Sequence, residues 1–130
     1  MTWDGSIQLS PEDVLAISDA LVTVERRLMR YHGRRIQLDA EPFRADFASD
    51  FKRLLRAKRM LGRELTAEQR AVIVDALRGA HIAIALHDGN PILDAAPVVN
   101  MQFRNAGELV RAALKVLAAN RAGSTPSPWR

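Results

Sequence analysis

The sequence predicts a mainly α-helical domain, a four-helix antiparallel bundle carrying one to three very short β-strands at most. Four segments open with a helix-capping residue followed closely by an acid: Ser10-Pro11-Glu12, Asp39-Ala40-Glu41, Thr66-Ala67-Glu68 and Asn105-Ala106-Gly107-Glu108. Their side-chain oxygens can accept from the unpaired amides of a first helical turn, and the early carboxylates suit the positive end of the helix dipole. Behind each start, apolar residues recur at spacings of three and four, the period of a helix that buries one face.

The first helix is expected from Pro11 to about His32. Val14, Ile17, Leu21, Val24, Leu28 and Tyr31 form its stripe, and Leu15, Val22 and Met29 widen that stripe on one flank. Gly33 follows at the position where a left-handed residue commonly ends a helix. A second helix is expected from about Ala40 to Leu61, stopped by Gly62. Phe43, Phe47, Phe51, Leu54, Leu55 and Leu61 then share about 120° of arc, and Pro42 is tolerated in a first turn that has no use for its amide. The third helix runs from Thr66, with Gln69 placed to complete a capping box, to about His87 before Gly89 and Pro91. Its core stripe is Ile73, Ala76, Leu77, Ala80 and Ile84. Ile82 and Leu86 put bulky apolar groups on its other side, and the alternation of Ile82, Ile84 and Leu86 ahead of Asp88-Gly89 also admits a hairpin.

Between residues 90 and 104, Val99, Met101 and Phe103 alternate with polar residues, which predicts a short strand over Val98–Phe103. Ile7-Leu9 and Arg35-Leu38 are its expected partners. The last helix is expected from Ala106 to about Arg121, burying Leu109, Val110, Ala113, Leu114 and Leu117. One domain over residues 1–122 and a disordered tail over 123–130 follow. The tail is read from its run of Gly, Ser, Thr and Pro, and Trp129 lies on it.

Composition narrows the function classes. The chain has no cysteine, so disulfide scaffolds and thiol catalysis are excluded. No run approaches the ~18 apolar residues of a membrane span, and the start shows no secretory leader, so no membrane association and a cytoplasmic location are expected. His81 and His87 stand six residues apart, which turns them about 120° from each other on a helix and unsuits them to share a metal. No acid–base pair, nucleophile motif or glycine-rich phosphate loop is present. The expectation is therefore no enzyme, no catalytic residues, no cofactor and no metal.

Two surface features remain. Residues 26–63 hold twelve of the nineteen Lys and Arg against four acids, whereas the rest of the chain carries seven bases and eleven acids. On the expected second helix Lys52, Arg56, Arg59 and Arg63 align within about 60° of arc, a ridge that Arg34 and Arg35 extend and that could follow a phosphate backbone. The second feature is Ile82 and Leu86, with Val74 nearby. If residues 90–104 cover them they are ordinary core; if they stay exposed they mark an interface. The function expected is a non-enzymatic helical protein–protein interaction or regulatory module that associates with a partner or with itself as a homodimer. A small nucleic-acid-binding protein using the basic ridge is the alternative.

Overall fold

The computed structural model describes residues 6–38 and 41–119. The expectations for the Asp39-Ala40 cap, the tail and Trp129 lie outside these residues. The chain is mainly helical, with two small antiparallel sheets. In order it forms β1 (Ile7–Gln8), α1 (Pro11–Tyr31), β2 (Arg35–Leu38), β3 (Glu41–Arg44), α2 (Ala48–Met60), β4 (Glu64–Leu65), α3 (Ala67–His87), β5 (Pro91–Ile92), β6 (Val99–Asn100) and α4 (Arg104–Ala119).

α1 and α3 follow their sequence signals closely. Ser10 and Thr66 each accept from the amide three residues on, and the side chains of Asp13 and Gln69 return the bond to close capping boxes. Gly33 and Gly89 just beyond the two helices have φ of 80° and 83°, where a Cβ would be strained. α1 buries Ile17, Leu21, Val24, Leu28 and Tyr31, and α3 buries Ile73, Ala76, Leu77, Ala80 and Ile84. The hairpin alternative at Ile82–Leu86 is thereby replaced by helix.

The second helix departs from expectation. Residues Glu41–Arg44 are not its first turn but a strand, paired antiparallel to β2 with Ile36 opposite Phe43 and Leu38 opposite Glu41. Tertiary pairing overrides the local cap signal: the ladder continues into Ala45 N–H to Arg34 O and Gly33 N–H to Ala45 O, both 2.8 Å. The Arg44 guanidinium also donates to Gly33 O at 2.6 Å. α2 therefore starts at Ala48, where Asp46 Oδ1 accepts from the Ala48 amide and His32 Nδ1 from the Phe47 amide, each at 3.0 Å. Phe43 is exposed in the strand, whereas Phe47 and Leu54 reach the core and Leu55 does not.

The sheets are also larger than expected. β1 pairs with β4, and a second sheet has the order β3-β2-β5-β6. The strand expected over Val98–Phe103 shrinks to Val99–Asn100 and pairs with β5, not with Ile7-Leu9 or Arg35-Leu38. Met101 and Phe103 instead turn inward and are fully buried. Tyr31 anchors this turn, its hydroxyl accepting from the Gln102 amide at 3.0 Å while its ring packs edge-to-face with Phe103, the centroids 5.1 Å apart. α4 begins two residues earlier than expected, so Asn105 lies inside it. Asp88 Oδ1 takes the Phe103 amide at 2.9 Å just before its first turn.

In the packed core α1 lies chiefly against α4 and more lightly against α2, while α3 packs against α2 and α4. No helix is long and apolar enough to cross a membrane among the described residues.

Candidate functional site

Residues 90–104 decide the fate of Ile82 and Leu86. The Asn90 side chain caps the Leu86 carbonyl at 2.9 Å, and Gly89 and Asn90 pair with Met101 through two bonds of 2.8 Å. Leu93 then donates to Arg35 O at 2.7 Å, which carries the segment onto β2 rather than across α3. Ile82 and Leu86 stay 61% and 58% exposed. Val74 is placed differently: it is half-buried against the core and is not part of the same surface.

Ile82 and Leu86 edge an open groove of about 640 Å³ between α2 and α3. Its α3 wall is the stripe Asp75, Arg78, Gly79, Ile82, Ala83 and Leu86, a run of three- and four-residue steps. The facing wall comes from the start of α2 and the residues before it: Asp46, Phe47, Ser49, Asp50 and Arg53. Arg53 bridges Asp50 at 3.4 Å across one turn and lies over Gly79, where an added Cβ would meet its Nη1 at 3.4 Å. Burial raises the Asp50 carboxyl above its ordinary value, with Arg53 and then His87 drawing it back. His87 closes one end, its Nδ1 2.7 Å from Ala83 O and its ring edge-to-face with Phe47, the ring centroids 4.9 Å apart. Both of these contacts are made at the core.

The α2 wall of the groove was invisible in the sequence because α2 begins at Ala48 and not near Ala40, which changes what lies ahead of its first turn. The α3 stripe was legible in outline. Its steps from Asp75 through Gly79 include Ile82 and Leu86, the two apolar residues that the sequence singled out.

The basic ridge is shorter than the sequence implied. Lys52, Arg56 and Arg59 lie exposed on the outer face of α2, but Arg63 falls beyond the helix end, beside β4, where its carbonyl accepts from Leu9 at 2.7 Å. Arg34 is engaged elsewhere: its Nη2 and Nε reach Asp94 Oδ1 at 2.7 and 2.8 Å, while the Arg35 amide donates to Asp94 Oδ2 at 3.0 Å. These bonds, that from Arg34 foremost, hold the Asp94 carboxyl below its ordinary value. Arg35 stays exposed at the start of β2, on the sheet and not on the helical ridge.

Among the described residues no group of three or more His, Asp or Glu is placed to hold a metal. No family model matches this chain, nor does any curated protein or any solved structure.

Proposed function

We propose that this chain is a non-enzymatic helical interaction module, a bundle-like scaffold acting in the cytoplasm, whose α2–α3 groove receives a segment of a partner protein. The observation that carries this reading is the exposure of Ile82 and Leu86 along a groove whose floor is kept low by Gly79. Large apolar side chains in water cost about 25 cal/mol per Å² of surface relative to burial, and grouped on one helix face they form a docking patch. The groove is too small for the ~800 Å² per partner of a standard stable interface. Its size suits two or three apolar anchors of a short amphipathic segment, the helix-in-groove mode. Asp46 and Asp75 outnumber Arg78 in the lining, and with Arg53 committed to Asp50 the balance favours a basic residue beside those anchors.

Random-peptide display against the purified protein tests this. Enriched peptides should carry two or three spaced apolar residues and a Lys or Arg. Ile82→Ser with Leu86→Ser should weaken their binding by tenfold or more, on the order of 1.4 kcal/mol, without lowering the melting temperature, because both side chains are exposed. Enrichment of no such peptides, or binding that survives the double substitution, contradicts the reading.

The alternative, nucleic-acid binding, draws its support from Lys52, Arg56 and Arg59, which have no carboxylate partner among the described residues. Under it, duplex DNA binds with a steep salt dependence, and Arg56→Glu with Arg59→Glu abolishes binding. Absent or salt-insensitive binding at low ionic strength removes this alternative.

A further inference from the structure

The outer face of α1 carries a second apolar series, distinct from the groove. Leu15, Val22 and Met29 are spaced by seven, so they stay on one side of the helix with a drift of only about 20° per step. Leu15 is 69% exposed and Met29 60%, with Val22 half-buried between them. The three stand roughly opposite the stripe of Ile17, Leu21, Val24, Leu28 and Tyr31 that packs inward. The sequence alone had placed them on a flank of that stripe, but the structure puts Leu15 and Met29 in water and leaves Val22 half-buried.

The charges beside this series are ordered. Along one flank, at positions 12, 19, 26 and 30, α1 presents Glu12, Asp19, Arg26 and Arg30 in turn, all exposed: two acids on the N-terminal half, then two bases. Arg26 and Arg30 have no carboxylate partner among the described residues. As like charges four residues apart they repel, a cost that folding of the single chain does not recover. Among the described residues Asp19 accepts only from Thr23 Oγ1, at 3.5 Å. On the opposite flank Glu25 is already paired with Lys58 of α2 at 2.7 Å.

We propose that a second copy of this chain packs antiparallel on the Leu15–Val22–Met29 face, so that α1 is the seam of a homodimer. A two-fold axis level with Val22 brings Leu15 opposite Met29 of the second copy and sets Val22 against itself. It keeps the same flank of both helices together, which places Asp19 level with Arg26 of the second copy to within about one residue, 1.5 Å along the axis. Arg30 then falls between Glu12 and Asp19 of that copy. Every charge on this flank gains an opposite neighbour, and symmetry repeats each pair. A parallel two-fold arrangement would instead set this flank against the opposite flank of the second copy, where Glu25 is already paired with Lys58, and would leave Arg26 and Arg30 unmatched, so the charge order favours the antiparallel one. The contact runs along one helix and is smaller than a standard interface, which sets the expected affinity in the micromolar range. It stands independently of the groove, since the groove lies between α2 and α3.

Sedimentation across the micromolar range tests the seam. The wild type should associate to dimers. Asp19→Arg and Arg26→Asp should each raise the dissociation constant roughly tenfold or more, since each juxtaposes like charges twice per dimer. The two single variants mixed together should associate with each other, and the double variant carrying both changes should regain the wild-type constant. Substituting Ile82 and Leu86 by Ser should leave the dimer intact. The inference is overturned if the wild type stays monomeric, if the single variants dissociate no more readily than it does, if neither the mixture nor the double variant recovers association, or if only the Ile82 and Leu86 changes dissolve the dimer.

Discussion

At the scale of single residues, Asp94 shows what sequence can and cannot reveal. It holds the Arg34 guanidinium and the Arg35 amide at once, tying the loop after β5 to the start of β2. Its folded carboxyl titrates below the ordinary value, so its contribution to stability is present above the unfolded value and fades as pH falls through the lowered one. Asp94→Ala should therefore lower the urea midpoint at neutral pH, and the gap to wild type should close on acidification past the ordinary carboxylate range. An equal gap at both pH values contradicts this. Nothing near Asp94 in the chain announces the clamp, because its partners are some sixty residues away. Gly33 and Thr66, by contrast, were legible, since a left-handed helix end and a capping box are made by neighbours in sequence.

At the scale of elements the same distinction holds. α1 and α3 were readable because cap, periodicity and stop all agree within each segment. The start of α2 was not, since Asp39-Ala40-Glu41 has the chemistry of a cap but the backbone of Glu41–Arg44 finds a better partner in β2. For the same reason the groove was legible only at Ile82 and Leu86, since its α2 wall depends on where that helix begins. Gly79 ties the wall to stability. Alanine at this position in the helix interior should stabilise the fold by up to about 1 kcal/mol. Its methyl would meet only the far end of Arg53 and the Asp50 carboxylate, at ordinary contact distances. Urea unfolding should show that gain while peptide binding in the groove weakens. A destabilised Gly79→Ala variant, or one with unchanged binding, contradicts the role given to this glycine.

At the scale of the whole molecule, two apolar surfaces lie apart and differ in kind. The groove between α2 and α3 is concave, small and of mixed charge, which suits a short segment from another protein. The α1 face is convex, linear and charge-ordered for its own copy. The two proposals together amount to a dimeric adaptor in which association through α1 would leave the groove open. The basic outer face of α2 has a part in neither proposal. Backbone amide shifts recorded by NMR, first across a protein dilution series and then with a display-selected peptide, test this division most directly. Amides along Leu15–Met29 should move with protein concentration, and those of Asp46–Arg53 and Asp75–His87 should move only when peptide is added. Peptide-induced shifts that avoid the α2–α3 groove, or that appear in neither region, contradict the account.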